Sequence, residues 1–232
     1  MKFSNISAVL TDIEGTTSSV NFVYEVLFPY FRNNMDRLKE MTADPQVQAA
    51  FKKTVELARE LEGKTLKSVD EIQATLHRWS EEDRKITPLK TLQGILWQEG
   101  YNSGELQGHV YADVAPALEQ WHDRTIQLAV FSSGSVAAQK LIFGHSISGD
   151  LTTYFSSYFD TETGGKRDKE TYSAIAEQMH LKCQNILFLS DIVEELEAAQ
   201  SAGMQTVQLV RVGTKPNWER TVSDFSEIEI NQ

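Results

Sequence analysis

The sequence predicts a doubly wound parallel α/β sheet carrying an inserted all-helical domain, and two patterns support this. Beyond residue 104, short apolar runs alternate with helical segments, as expected of parallel strands covered on both faces. Residues 21–104 instead read as helix almost throughout, although an apolar run at residues 5–10 precedes them. That early run joins the later sheet most simply if the helices are an insertion. Residues 1–17 and 112–232 then form the α/β core, and residues 18–111 a helical cap.

Each element has a local reason. Residues 5–10 (Asn-Ile-Ser-Ala-Val-Leu) read as a short buried strand bounded by turn residues. Pro29 makes the first helix start late, break or kink. Asp44 before Pro45 is an N-cap with proline at the first helical position, leading into Val47, Phe51, Val55 and Leu61. Ser68 with Glu71 forms a capping-box pattern ahead of Ile72, Leu76 and Trp79. Thr87 and Pro88 open a further helix carrying Leu92, Ile95 and Leu96, with Gly100 placed to end it. Strands follow at residues 126–131, 156–159, 185–189 and 205–210. Between them lie helices at 136–143, at 168–179 with Asp168 as N-cap, and from 193 to a stop at Gly203.

Composition narrows the function classes. The net charge of −11 over 232 residues argues against a general nucleic-acid binder, so an anionic ligand needs a locally attractive site. Cys183 is the only cysteine, which removes disulfide frameworks and thiolate metal clusters. No apolar run reaches membrane-span length and the amino terminus lacks a basic-then-apolar leader, so a cytoplasmic location is the expectation.

What leaves the strand ends is chemically consistent. Asp12 and Glu14 follow the first strand on one face, and Gly15 then permits a sharp turn with bare amides behind it. Ser132 and Ser133 follow the second strand, Lys166 precedes a helix, and Asp191 follows the strand at 185–189. In such sheets ligands bind beyond the carboxyl ends of the strands. Phosphoryl transfer needs a nucleophile, an acid, a cation and donors to the equatorial oxygens. Asp12 can be the nucleophile and Glu14 the acid; Asp191 helps hold a metal, and Ser132 and Lys166 supply donors. Each piece also has a plainer reading: Asp12, Glu14 and Gly15 as a solvated turn, Ser132 to Ser135 as a helix start, Lys166 as a surface lysine, Asp191 as an N-cap. Glu194, Glu195 and Glu197 read as a solvated helix face, with Glu195 one turn beyond Asp191 and able to support its carboxylate or the metal's waters.

Taken together, Asp12-Ile13-Glu14-Gly15-Thr16, Ser132, Lys166 and Asp191 resemble the four motifs of the haloacid dehalogenase superfamily. Glu14 departs from the Asp usual in its phosphatases. That departure, continued through Thr17, Val20, Phe22, Val23 and residues 27–30, is similar to the acireductone synthase family, the enolase-phosphatases of methionine salvage. Residues 132–135, 138–141 and 143–146 carry the same resemblance. It implies a magnesium-dependent, monomeric enzyme acting on 2,3-diketo-5-methylthiopentyl-1-phosphate. It further implies Asp12, the Glu14 backbone carbonyl and Asp191 as metal ligands, and Ser132, Ser133 and Lys166 as substrate contacts.

Other readings stay open on the residues alone: a phosphatase for another small phosphate ester, a dehalogenase on the same fold, or a non-catalytic phospho-acceptor module. The base for enolisation is likewise open among His109, His122, His145, Glu14 and a hydroxide on the metal. The helical block is expected to fold over the strand ends, with residues such as Phe22, Val23 and Phe28 lining the methylthio pocket or serving as ordinary core.

Overall fold

The computed structural model describes residues 1–231. A short β1 (Lys2–Ser4) precedes the first core strand, β2 (Ala8–Thr11). The sequence predicts strand from residue 5, but Asn5 turns the chain with a φ of +61°, and extended pairing starts three residues later. Strands β3 (Gln127–Phe131), β4 (Ser157–Phe159), β5 (Ile186–Ser190), β6 (Gln205–Leu209) and β7 (Thr221–Val222) share a sheet with β2. Its order is β4-β3-β2-β5-β6-β7, all parallel, while β1 pairs separately with β8 (Glu229–Asn231). Strand order reverses at β2, so its carboxyl end faces the crevice where ligands bind in doubly wound sheets.

The chain divides into two units, Met1–Val20 with Gln107–Gln232, and Asn21–Leu106. The chain enters the helical unit through α1 (Val20–Phe22), a π-helical turn over Val23–Leu27, and α2 (Phe28–Asn33). The expected disturbance at Pro29 takes this form: the wide turn ends just where proline enters the first turn of α2 and needs no donor. After α3 (Arg37–Glu40), α4 (Pro45–Glu62) begins at Asp44, whose Oδ1 accepts from the N–H groups of Gln46 and Val47 at 2.7 and 3.3 Å. Val47 and Phe51 are buried as predicted, but Leu61 is exposed, having drifted off the apolar face. The predicted capping box starts α5 (Val69–Glu81): Ser68 Oγ accepts from Glu71 N, and the Glu71 carboxylate accepts from Lys67 N. Helix α6 (Thr87–Ser103) runs past Gly100 and stops at Gly104, which has a φ of +78°. Gly100 lies inside it because Tyr30 packs there; a Cβ would come within 2.6 Å of the Tyr30 ring. Phe31, Leu38, Val47, Leu76, Trp79 and Leu96 are the centre of this unit's own core.

In the other unit, α7 (Val114–Asp123), α8 (Val136–Gly144), α9 (Lys169–Gln178) and α10 (Val193–Ser201) cover the sheet. Ala8, Leu10, Phe131 and Phe188 pack against Tyr172 and Ile175 of α9 and Leu196 and Ala199 of α10. Alternation along each strand sends the equally buried Val9, Leu128 and Val130 to the other face. Asp168 occupies the N-cap position of α9, but its side chain makes no capping bond. Among the described residues no helix is long and apolar enough to cross a membrane.

Where α4 ends, the Glu62 carboxylate accepts from the indole N–H of fully buried Trp79 at 2.6 Å and pairs with Arg78 at 2.5 Å and Arg84 at 3.0 Å. The Arg78 and Trp79 donors hold the Glu62 pKa down at about 2. A carboxyl depressed on folding contributes stability that is complete above its unfolded pKa and is lost as pH falls toward the folded value. Glu62→Gln keeps the volume and one acceptor but loses the charge, and is expected to destabilise the chain by about 1 kcal/mol at neutral pH. In thermal melts the difference from the unchanged chain should close as pH drops from 4.5 to about 2; a gap that stays constant would rule out the ionic contribution.

Candidate active site

Register explains why distant residues meet. Thr11 lies opposite Val130 on one side and Leu189 on the other, so three adjacent strands end at one level. The next residues out are Asp12, which donates its N–H to the Leu189 carbonyl at 2.9 Å, and then Ser132 and Asp191. After Asp12 the chain winds tightly, and the Ile13 carbonyl accepts from the N–H groups of Thr16, Thr17 and Ser18 at 3.1, 3.0 and 2.9 Å. Gly15 makes this possible with a φ of +78°, donating to the Ser18 carbonyl at 2.8 Å. It also lets Asp191 close in: a Cβ at position 15 would sit 2.4 Å from Asp191 Oδ2.

Lys166 is not a loose surface lysine. Its Nζ lies 2.6 Å from Asp12 Oδ1 and 2.8 Å from Glu195 Oε2, and 5.7 Å from the centre of the Phe131 ring. Tyr172 Oη donates to the Lys166 carbonyl at 2.7 Å and fixes the backbone there. The preceding Gly164 packs on Thr171, where a Cβ would meet Oγ1 at 2.2 Å, so the glycine serves close approach rather than slack. Burial alone would lower the lysine pKa, but Asp12 and Glu195 raise it well above its ordinary value. Glu195 therefore supports Lys166, and also accepts from Ser190 Oγ at 3.0 Å. Burial and the Asp12 charge push its pKa up to about 7.

Glu14 reaches across to β3, where Ser132 Oγ donates to its Oε2 at 3.0 Å and accepts from Gly134 N at 3.1 Å. Burial, then the neighbouring Asp12, raises the Glu14 pKa, opposed by Lys166 and the Ser132 bond. Ser133 follows on the same loop, and Ser135 caps α8 by accepting from Ala138 N at 3.3 Å. Asp191 is not a helix cap, since Ile192 holds that position at α10. Its Oδ1 is buried without a hydrogen-bond partner, and burial with the Asp12 and Glu14 charges raises its pKa to about 7. An orphaned carboxylate oxygen beside a second carboxylate is the chemistry of a cation site. Among the described residues no three His, Cys, Asp or Glu side chains gather as a metal cluster. Two carboxylates and a main-chain carbonyl suit a small hard cation that keeps waters and takes phosphate oxygens, so the residues fit magnesium.

Comparison with known proteins agrees with this geometry. The haloacid dehalogenase-like hydrolase family matches residues 6–203. Enolase-phosphatase E1 of a Picosynechococcus species is 51% identical over 224 residues, covering 96% of this chain and 98% of that one. Its counterpart from Marinobacter nauticus is 47% identical, covering 97% of each. The chain belongs to the enolase-phosphatase family of haloacid dehalogenase-like hydrolases. Among solved structures, the UTR4 protein of Saccharomyces cerevisiae superposes with a TM-score of 0.79 at 32% identity, covering 94% of this chain and 98% of its own.

Of the histidines considered for enolisation, His122 lies at the amino-terminal rim of the sheet, and the His145 carbonyl accepts from Gly108 N at 2.7 Å. His122 ends α7, just before the amino end of β3, and packs on Tyr154 with ring centres 5.4 Å apart. His145 ends α8, which has run back along the sheet from the carboxyl end of β3. His109 alone of the three touches the acid loop, its Nδ1 accepting from Ser19 N at 3.1 Å. Phe28 packs within its own unit, stacked on Trp97 at 6.4 Å. Sequence reasoning missed a supporting layer. Gln139 donates to the Gly134 and Phe159 carbonyls, Gln208 donates to the Asp191 carbonyl at 3.0 Å, and Arg211 donates to the Thr16 carbonyl at 3.1 Å. Only the hydrophobic flanks of a buried strand marked Gln208, and nothing local marked Arg211 as a partner of the first strand's loop.

Gly15→Ala combines a left-handed backbone cost with a collision at Asp191. It should lower stability by about 1–2 kcal/mol, or roughly 2–8 °C in Tm. Magnesium is expected to raise the Tm of the unchanged chain, and Gly15→Ala should abolish that rise. A variant that keeps that rise would show that Asp191 does not need the space over residue 15.

Proposed function

We propose that this protein is an acireductone synthase: it enolises 2,3-diketo-5-methylthiopentyl-1-phosphate and removes its phosphate, yielding acireductone and inorganic phosphate in methionine salvage. The observation that carries the reading is the meeting of Asp12, Lys166, Glu14 and Ser132 at one rim, with Lys166 Nζ 2.6 Å from Asp12 and Ser132 Oγ 3.0 Å from Glu14. Curated enolase-phosphatase E1 relatives matching over nearly the full chain support it.

Asp12, the Glu14 carbonyl and Asp191 would hold magnesium, which supplies positive charge and orients phosphate oxygens when bound. Asp12 Oδ attacks phosphorus in line, the ester P–O bond breaks, and the phosphoryl group passes to the Asp12 carboxylate. Lys166 offsets charge on the equatorial oxygens, while Ser132 and Ser133 donate to them. Glu14 gives its proton to the departing enol oxygen, then takes one from the water that cleaves the aspartyl phosphate. Its raised pKa suits both duties, since the group must be protonated in one step and ionised in the next. Of the side chains weighed as the enolising base, Glu14 belongs to the acid loop and His109 touches it through Ser19 N. The chain acts as a monomer on a small phosphate ester, in the cytoplasm.

The deciding assay is phosphate release from the diketone phosphate with and without magnesium. Release should require the metal and fall at least about 10³-fold in Asp12→Asn. Metal-replete protein that releases no phosphate, or an active Asp12→Asn, would refute the assignment. A second comparison addresses the acid. The enolised substrate has a leaving group conjugated with a carbonyl, which needs less protonation than a simple alkoxide. Glu14→Gln should therefore slow hydrolysis of an alkyl phosphate about tenfold more than it slows the natural reaction; equal slowing would count against the acid role.

A further inference from the structure

The loop behind Glu14 is held along its length by the segment that returns from the helical insertion. Thr16, Thr17 and Ser18 meet it in order. Arg211 Nε donates to the Thr16 carbonyl at 3.1 Å and is itself gripped by Asp113 through two bonds of 2.9 and 2.7 Å. Tyr111 N donates to the Thr17 carbonyl at 3.0 Å, and its ring lies 4.2 Å under the Arg211 guanidinium. His109 Nδ1 accepts from Ser19 N at 3.1 Å and lies 3.2 Å from Ser18 Oγ. His109 and Tyr111 thus meet Ser18–Ser19 and Thr17 directly, while Asp113, in the turn that opens α7, reaches Thr16 through Arg211.

The last of these contacts is tied back to the acid residue. Ser18 is buried, and its carbonyl accepts the Gly15 N–H at 2.8 Å, so Ser18 and Glu14 are paired main chain to main chain. A ring nitrogen that accepts a backbone N–H carries no proton of its own, which places the imidazole proton on Nε2. Burial favours that neutral form. We propose that His109 is a positioning residue for the general acid: its Nδ1 acceptor fixes the Ser18–Ser19 end of the loop whose other end carries Glu14. This rests on Glu14 acting as the acid in the reading above.

The contact can be removed without removing the ring. His109→Phe keeps the edge-on packing against Tyr111, whose centre is 5.1 Å away, and loses the Nδ1 acceptor together with the Nε2 proton. His109→Asn, by contrast, returns the acceptor, because Asn Oδ1 falls where His Nδ1 does. Two esters distinguish positioning of the acid from general damage: an alkyl phosphate, whose leaving alkoxide needs a proton, and p-nitrophenyl phosphate, whose leaving group hardly does. His109→Phe should lose about tenfold or more in kcat on the alkyl ester, with KM unchanged and less than about threefold lost on the nitrophenyl ester. His109→Asn should recover the alkyl rate to within about threefold. Equal loss on both esters, loss on neither, or no recovery in the Asn variant would overturn the proposal. If His109→Phe does not fold, His109→Ala assayed with and without added imidazole makes the same comparison: imidazole must restore the alkyl ester selectively. Unchanged protein that is inactive on every ester would overturn the phosphatase reading itself. An active unchanged chain with an indifferent His109→Phe would overturn only the positioning role.

Discussion

An excess of negative charge at one rim is the constraint around which this site is built. Asp12, Glu14, Asp191 and Glu195 act on one another electrostatically, with Lys166 paired to Asp12 and Glu195, inside a protein whose net charge is −11. Like charges a few ångströms apart cost about 4 kcal/mol each at a protein-like effective dielectric, so one lysine does not balance the set. The shortfall appears as carboxyl groups driven toward neutral pKa values and as a buried Asp191 oxygen with nothing to bind. A divalent cation bound there would answer both, and would draw a phosphate into a region that otherwise repels it. An acidic protein and an anionic substrate would thereby be reconciled locally.

Holding such charges in place falls to buried polar side chains behind them. Gln139 ties down the Ser132 loop, Gln208 the Asp191 backbone, Tyr172 the Lys166 backbone and Arg211 the Thr16 carbonyl. Each donates to a main-chain carbonyl, so each restrains a backbone position and leaves the reacting side chain's own atoms uncommitted. Burial raises the value of these bonds, because a broken one leaves a donor in low dielectric without water. The Arg211–Asp113 pair shows the electrostatics at work: burial would raise the Asp113 pKa, but the Arg211 fork and the Phe225 N–H bring it below its ordinary value.

The residues that meet at this rim are legible in the sequence, and their supports largely are not. Asp12, Glu14, Ser132, Lys166 and Asp191 follow recognisable strand ends, and parallel register brings such ends together whatever lies between. Capping chemistry located α4 and α5 because Asp44, Ser68 and Glu71 act within a few residues of themselves. Gly100 misled as a helix stop because its small size serves packing against Tyr30, 70 residues earlier. Helix α7 lies outside the predicted elements although Val114, Ala117, Leu118 and Trp121 have helical spacing. Strands β1, β7 and β8 are two or three residues long, too short for alternation to declare itself. Glu195 and Arg211 depended on partners 29 and 195 positions away, which no local pattern encodes.

The length of Glu14 fits this division between reacting group and support. A glutamate carries one more rotatable bond than the aspartate usual in the superfamily, and that freedom works against a proton donor that must be placed within a fraction of an ångström. Here the longer arm spans the gap to β3 and is met there by Ser132, so the added reach brings its own restraint. The same bond gives the carboxylate a donor, which favours the charged form, while burial and Asp12 favour the protonated one. Because burial ranks first, the balance leaves Glu14 a weaker acid than a free glutamate. On the proposed reading such a group suits a leaving oxygen that is already stabilised by conjugation and asks little of its acid. It would suit equally the following step, in which a water must lose a proton.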